Sequence, residues 1–172
     1  MIILETKRLI LRLLADSDQH MILQLLNEPT FIENIGDKEV RNLVDALNYI
    51  STGPLAMQKS LGFSLYCCEL KSTGVPIGLS GLIKRKGIKH PEIGFAFLTK
   101  HCKKGYGFES SNAVVEYAKN VLQIETLQAI CNPNNIASSR LLTKLGFSFR
   151  NQILLEGVNP QKINLYEIVK ML

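Results

Sequence analysis

A glycine-containing turn between an apolar run and a helix-like segment constrains this chain more than any other feature. The turn, Lys103-Lys104-Gly105-Tyr106-Gly107-Phe108, follows the apolar run 93–98 and precedes the segment 110–122, which has a helical pattern. Glycines let the backbone approach a ligand, and the first N–H groups of a helix lack internal partners and lie at the positive end of the macrodipole. The stretch 103–110 therefore favours a phosphate-binding turn. A tight turn with solvated lysines is the alternative.

The rest of the chain predicts a mixed sheet with helices on both faces, an α/β or α+β layer fold. Pro29 is expected to end the first helix, Asp37 to cap the second, and Gly53-Pro54 to close it. Gly146 suits the residue that follows the last helix. The predicted strands are 8–14, 63–70, 76–83, 92–98, 126–131, 147–155 and 162–171, and the predicted helices are 17–27, 38–50, 110–122 and 137–145, with a closing hairpin turn at 156–160.

Length and charge are consistent with one domain that binds an anion. The chain has 172 residues, of which 46% are hydrophobic, and domains cluster at roughly 100–150 residues, so we expect a single domain over 1–172. The net charge of +5 fits an anionic ligand without requiring one. Because the basic residues are spread along the chain, apart from local clusters at 84–89 and 100–104, nucleic acid is only a secondary alternative as a partner.

The spacing of the cysteines and the length of the apolar runs indicate the cellular compartment in which the protein is expected. The cysteines at 67, 68, 102 and 131 lack the spacing of a zinc site, and Cys67-Cys68 lies in an apolar, strand-like run. We expect buried free thiols in a reducing environment and no metal. The start of the chain lacks the apolar core of a signal peptide, and no run approaches the roughly 20 residues that span a bilayer. The expectation is a soluble, cytoplasmic protein with no membrane partner.

Three stretches together resemble the GNAT acetyltransferases: the strand 92–98, the turn 103–107 and the later motif from Asn132 to Phe147. The N-terminal Glu5-Thr-Lys-Arg8-Leu-Ile-Leu-Arg12 is similar to the RimJ/RimL branch, which acetylates ribosomal-protein N-termini. The resemblance implies a central mixed, mostly antiparallel sheet of about seven strands with about four helices and a splayed cofactor cleft. It also implies transfer of an acetyl group from acetyl-CoA to a primary amine.

The resemblance further implies which residues bind the cofactor. Backbone groups of Phe97 and Leu98 would pair with the pantetheine arm, and Asn135 and Ser138 would contact CoA from the other side of the cleft. Cys102 stands where the family often has Gln or Arg, which puts that contact in question. The turn that would bind the diphosphate of CoA through its N–H groups is matched by Lys103, Lys104, Gly105, Tyr106, Gly107 and Phe108.

Acetyl transfer sets the remaining requirements. A thioester is already activated, so the protein has to place the amine, remove its proton and stabilise the oxyanion. Glu92 is the candidate base, directly or through a water, with an exposed strand-end carboxylate as the alternative. The backbone N–H of Leu98 is the candidate oxyanion donor. Relatives often carry an acidic Tyr at the position of Leu142, so the thiolate would take its proton from Ser138 or from solvent, or would leave without one.

Other functional hypotheses are weaker or remain open. A Rossmann dinucleotide site fails because the third glycine position is Ser110 and the turn lies late in the chain. A P-loop motif is absent. A non-catalytic acyl-CoA sensor, or a module associated with ribosomes or RNA, would keep the same fold and pocket. The acceptor could be a ribosomal or other peptide N-terminus or a small amine, in a pocket between the early helices and the closing hairpin, in a monomer or a homodimer.

Overall fold

The computed structural model describes residues 1–155 and 161–169. Its strands are β1 (Ile2–Glu5), β2 (Leu9–Arg12), β3 (Leu65–Leu70), β4 (Pro76–Ile83), β5 (Glu92–Phe97), β6 (Thr126–Cys131), β7 (Ser148–Leu155) and β8 (Gln161–Val169). They form one eight-stranded sheet in the order β1-β2-β3-β4-β5-β6-β8-β7. The predicted turn at 156–160 and the predicted end of the last strand, 170–171, lie outside the described residues.

Helices cover both faces of this sheet. They are α1 (Gln19–Leu26), α2 (Pro29–Ile35), α3 (Leu43–Ile50), α4 (Ala56–Leu61), α5 (Tyr106–Asn120) and α6 (Ile136–Lys144). One buried cluster lies beneath α5 and α6 and includes Val114, Leu127 and Leu142. A second lies beneath α1, α2 and α3 and includes Ile22, Phe31 and Ile50. The predicted mixed α/β fold is confirmed, with more strands and helices than the sequence indicated.

The start of the chain is a hairpin, whereas a single strand over 8–14 was expected. β1 and β2 pair antiparallel, with Glu5 opposite Ile10. The turn between them closes when the Thr6 N–H donates to Leu9 O at 2.9 Å and the Leu9 N–H donates to Thr6 Oγ1 at 3.0 Å. A threonine hydroxyl that bonds nearby backbone in this way stabilises a turn.

The early helices also differ from the prediction. Pro29 begins α2 at a position where its missing N–H costs nothing, so it does not simply end α1. α3 begins after Asn42, whose side chain accepts from the Asp45 N–H at 3.0 Å, and not after Asp37. Asp37 instead pairs with Arg41. Gly53-Pro54 lies in a π-helical turn, Ser51–Leu55, that continues directly into α4.

The middle of the chain matches the prediction more closely and positions the site. β4 and β6 begin and end at the predicted residues, and Gly146 follows α6 with φ +93°. α5 begins at Tyr106, a full turn before the predicted start at Ser110. The second half of the predicted binding turn is therefore the first turn of a helix.

Candidate active site

A cleft opens between β5 and β6 in the middle of the sheet. These strands are parallel and pair only at Glu92 and Gln128, whereas every other neighbouring pair of strands is antiparallel. The Gln128 N–H donates to Pro91 O at 2.9 Å, which closes the narrow end. Beyond that point the strands diverge, so the inner edge of β5 has no neighbouring strand in the described sheet.

The backbone groups that face this cleft belong to Phe95 and Phe97. The Leu98 N–H donates to Ile77 O at 3.0 Å, and it therefore points toward β4. Because N–H directions alternate along a strand, the groups of Phe97 and Phe95 point the other way, toward β6. Both expected roles of Leu98, as oxyanion donor and as a backbone partner of pantetheine, are therefore corrected, because its N–H is engaged by Ile77 and its carbonyl accepts from the His101 N–H at 2.8 Å. The backbone groups of Phe97 face the cleft, as expected. Those of Phe95 also face it, because directions repeat every two residues along a strand, but Phe95 was absent from the expected cofactor residues.

The turn at the end of β5 presents an array of free N–H groups. Within the described part of the chain, the N–H groups of residues 103–108 donate no hydrogen bond, and the next one, from Glu109, donates to Gly105 O at 3.0 Å. Lys103 has φ +59° and Gly105 has φ +83°, left-handed conformations that turn successive N–H groups to one side. They lie at the N-terminus of the fifteen-residue helix α5, whose dipole favours an anion.

Gly107 lets α6 and the end of β5 approach this turn. A Cβ at Gly107 would lie 3.2 Å from Leu141 Cδ1 and 3.8 Å from the Phe97 ring. The close approach explains why a glycine occupies the first turn of a helix, where it otherwise weakens helical structure. The predicted cofactor residues of the turn, of β5 and of α6 are thus brought to one place.

Asn135 and Ser138 occupy the start of α6, as expected. Asn135 Oδ1 accepts from the Ser138 N–H at 3.0 Å and caps the helix. Within the described structure, Asn135 Nδ2 and the Ser138 hydroxyl make no hydrogen bonds, and both residues are half-buried. Ser139 is bonded to the Tyr166 hydroxyl at 2.7 Å, which fastens this end of α6 to the sheet.

Glu92 is buried at the narrow end of the cleft, and the alternative of an exposed strand-end carboxylate is wrong. Only 1% of the residue is exposed, and Oε1 accepts from Arg85 Nε at 3.1 Å. Desolvation raises the pKa of Glu92 above its ordinary value of 4.5, and the charges of Arg85 and Lys84 oppose this rise. Its side chain shares a face of β5 with Ala96 and Leu98, toward α1 and α3, and opposite Phe95 and Phe97.

The two departures from the family pattern have clear positions. Leu142 is 1% exposed and packs in the core beneath α6, so it leaves no proton donor at that position. Cys102 is exposed, and its Sγ donates to Phe97 O at 3.6 Å and to Leu98 O at 3.7 Å. Burial raises the pKa of this thiol, and the charge of Glu28 adds to the effect. The other cysteines are buried free thiols, as expected.

Residues that brace the cleft from outside lie beyond those expected from the sequence. Glu28, just before α2, accepts from the Thr99 N–H at 2.9 Å and from the Thr99 hydroxyl at 2.6 Å. At the other end of α2, Asn132 Nδ2 donates to Glu33 O at 3.3 Å. α2 therefore bridges the diverging ends of β5 and β6. No local signal marks these contacts, since their partners lie far apart in sequence.

Within the described ranges, no helix is both long enough and apolar enough to cross a membrane.

Comparison with known proteins shows the family. Residues 8–148 match the acetyltransferase (GNAT) domain. The uncharacterized N-acetyltransferase YoaA of Bacillus subtilis (strain 168) is 30% identical over 173 residues, covering 98% of this chain and 97% of YoaA. An acetyltransferase from Agrobacterium tumefaciens superposes with a TM-score of 0.81 at 23% identity, covering 97% of this chain and 94% of its own. RimL, the ribosomal L7/L12 alpha-N-protein acetyltransferase, in complex with coenzyme A, superposes with a TM-score of 0.75 at 16% identity, covering 99% of each chain. With its splayed strands and its N–H-lined turn, the chain belongs to the GNAT acetyltransferase family.

Proposed function

We propose that this protein is an N-acetyltransferase that moves the acetyl group of acetyl-CoA to a primary amine by direct attack. The observation that carries the proposal is the continuity of two backbone surfaces. The cleft edge of β5, at Phe95 and Phe97, leads directly to the free N–H groups of residues 103–108. One surface suits a chain of amides and the other suits a diphosphate.

The residues at these surfaces fit acetyl-CoA. The N–H groups at 103–108 bind the diphosphate, and the ammonium groups of Lys103 and Lys104 add charge to an exposed surface. Phe95 and Phe97 pair with the amide groups of pantetheine, as an added strand would. The free Asn135 Nδ2 and Ser138 hydroxyl contact the cofactor from α6. Glu92 lies about 16 Å from Phe97, five residues at about 3.3 Å each, which leaves this length of cleft for the arm.

The chain supplies a base and an oxyanion donor for the reaction. Acetyl-CoA supplies an activated thioester, and the amine nitrogen forms a bond to the acetyl carbon as the carbon–sulfur bond breaks. Glu92 accepts the proton that the amine loses, directly or through a water, and its raised pKa brings it closer to the operating pH of a base. The Phe95 N–H, closer to the narrow end than Phe97, is the candidate oxyanion donor. Solvent or Ser138 protonates the thiolate, since Leu142 cannot.

The acceptor approaches from the face of the sheet that carries Glu92, beneath α1, α2 and α3. This face suits a primary amine as acceptor, because Glu92, the proposed base, is buried there. The turn proposed for the diphosphate lies at the other end of β5. An acceptor of the RimJ/RimL type, a protein or peptide N-terminus, is supported by the Glu5-to-Arg12 pattern and by the fold shared with RimL. A small amine fits the same face.

Calorimetry with acetyl-CoA and a thiol-release assay test the proposal. Wild type should bind acetyl-CoA, and thiol should appear with at least one acceptor in a panel of peptides, amino acids and polyamines. Gly107→Glu should abolish binding, since its Cβ meets Leu141 and its carboxylate enters the N–H array. Gly53→Glu adds the same charge where a Cβ meets nothing within 4 Å, and it should bind normally. No binding by wild type, or normal binding by Gly107→Glu, would refute the site.

The assay also separates the enzyme from the non-catalytic alternative. Buried Leu142 in place of a Tyr is the observation that favours a sensor, because a binding module needs no acid. Tight acetyl-CoA binding with no thiol release across the whole acceptor panel would support the sensor. Thiol release that disappears in Glu92→Gln would support the enzyme.

A further inference from the structure

A contact between the first hairpin and the binding turn carries an inference that rests on the proposed function. The β1–β2 turn lies against the first turn of α5, where Glu109 is bonded on both carboxylate oxygens. Oε1 accepts from Thr6 Oγ1 at 2.6 Å and from the Arg8 N–H at 2.8 Å. Oε2 accepts from Arg8 Nε at 2.6 Å. The carboxylate is thus held by the hairpin through backbone and side chain together.

Arg8 continues from Glu109 into the binding turn. Its Nη1 donates to Lys104 O at 3.0 Å, and its guanidinium lies 4.4 Å from the centroid of the Tyr106 ring. A Cβ at Gly105 would lie 3.2 Å from Arg8 Nη2. A single side chain therefore contacts three consecutive residues of the turn. The hydrogen bond from Arg8 holds the Lys104 carbonyl in the conformation in which, within the described structure, the neighbouring N–H groups have no partner.

Charge gives this contact a second role. An acidic residue in the first turn of a helix stabilises the helix, but it also repels an anion bound at the same helix end. Arg8 neutralises Glu109, whose pKa would rise through burial but is held below its ordinary value by hydrogen bonds from Thr6 and Arg8. A lone exposed ion pair contributes little, but this carboxylate has hydrogen bonds to both of its oxygens and only 19% of its side chain is exposed.

We propose that Arg8 and Glu109 are a positioning pair that sets the shape and charge of the turn, so that the diphosphate of acetyl-CoA binds there. The pair gives a role to the Thr6-Lys7-Arg8 stretch beyond its resemblance to one branch of the family. Neither residue touches the reacting atoms. Arg8 acts by holding Lys104 and by cancelling the charge of Glu109.

The pair is tested by comparing acetyl-CoA, which contains the diphosphate, with S-acetylpantetheine, which lacks it. The full-length variants are Arg8→Met, Glu109→Gln, the double variant, and Arg8→Lys, which keeps the charge but cannot bridge Glu109 and Lys104. Lys71→Met is the control, because it removes a positive charge from an ion pair at 2.8 Å with Glu5 of the same hairpin, and within the described structure the Lys71 side chain makes no hydrogen bond to the turn. Calorimetry gives Kd for acetyl-CoA, and thiol release gives kcat/KM for S-acetylpantetheine, which has no diphosphate.

We expect Arg8→Met to raise the Kd of acetyl-CoA by roughly tenfold or more, the equivalent of one charge-assisted hydrogen bond. Glu109→Gln should raise it less, and the double variant should bind more tightly than Arg8→Met, because no unpaired carboxylate remains. Arg8→Lys should lie between wild type and Arg8→Met. The kcat/KM for S-acetylpantetheine should stay within about twofold of wild type in all of these variants, and Lys71→Met should match wild type with both ligands.

Several results would overturn the inference. If Arg8→Met and Lys71→Met raise the Kd of acetyl-CoA equally, Arg8 serves only to fasten the hairpin. The inference would also be contradicted if the variants weakened acetyl-CoA binding and lowered kcat/KM for S-acetylpantetheine by equal factors. The same holds if the rise in Kd of the double variant equals the product of the rises in the two single variants. If wild type itself fails to bind acetyl-CoA, the proposed function is wrong. If wild type binds and Arg8→Met binds equally well, only the positioning pair is wrong.

Discussion

Gly78 on β4 offers a sharp test of the cleft, because it packs against β5 directly behind the cleft edge. Gly78 lies opposite Phe97. A Cβ there would lie 2.3 Å from Ala96 O and 2.8 Å from Phe97 Cα. Carbon–oxygen contacts between strands normally lie at about 3.3–3.6 Å, so Gly78→Ala has to displace this part of β5 by about 1 Å.

The displacement should damage function more than folding. Forcing a methyl group into a packed site costs about 1–3 kcal/mol of unfolding free energy. The moved segment carries the Phe97 groups that face the cleft, and a misplacement of about 1 Å at a positioning surface can lower turnover by about 10²-fold. Weakened pairing with pantetheine should also raise the Kd of acetyl-CoA, by the loss of one or two hydrogen bonds of about 1 kcal/mol each.

Gly81→Ala is the matched control on the same strand. Its Cβ would lie 2.1 Å from Ser64 O and 2.8 Å from Leu65 Cα, so it displaces β3, on the side away from the cleft. Urea unfolding should show similar losses of stability for both variants, while thiol release with acetyl-CoA should fall much further for Gly78→Ala. Equal activity of the two variants at equal stability would refute the argument that the β5 edge positions the cofactor.

Three further predictions concern single residues. Glu92→Gln should lower the acetylation rate and remove a titration above pH 4.5 from its pH profile. Because the folded state binds this proton more tightly, wild-type stability should fall as pH rises from about 4.5 through the raised pKa, and Glu92→Gln should lose that decline in urea melts. Arg12→Met should cost about 3–5 kcal/mol of unfolding free energy, since it leaves Asp18, only 2% exposed, without its ion pair. Asn135→Ala should lower the free energy of unfolding by about 1 kcal/mol, measured by calorimetric melting, because it removes the α6 cap. It should also weaken acetyl-CoA binding.

Local patterns predicted the part of the fold that carries the candidate cofactor site. The apolar runs of β4 and β6 are bounded by turn residues, so their limits agree with the structure residue for residue. α5 begins earlier than predicted, because Gly107, which was assigned to the turn before the helix, lies in the first turn of the helix itself. The structure shows that Gly107 admits Leu141, a neighbour that local sequence cannot reveal. Gly105 and Gly107 both lie at the start of α5, and Gly107 also serves packing; their contact with a ligand stays a prediction.

Distant partners decide the features that sequence reasoning missed. Thr6 and Arg8 make a hairpin turn that is fastened by Glu109, about a hundred residues later in the chain, so the apolar pattern alone suggested one strand. Asp37 looked like a helix cap but pairs with Arg41, and Glu39 with φ +56° prevents a helix from starting there. The Leu98 N–H could be assigned to β4 only once Ile77 was known to lie beside it.

The open middle of the sheet explains why one ligand should fill both surfaces. Within the described structure, the N–H groups of Phe95 and Phe97 and the C=O group of Phe95 have no hydrogen-bond partner, and such groups are costly in a sheet unless another group completes the ladder. No strand within residues 1–155 and 161–169 does so, because β6 diverges after Gln128 and pairs with β8. Under the proposed function, a ligand with amides along an extended arm would replace that strand, and an anionic group at its end would reach the N–H groups of α5. The early start of α5 matters here, since it fixes the N–H groups of Gly107 and Phe108 along the helix axis before a ligand arrives.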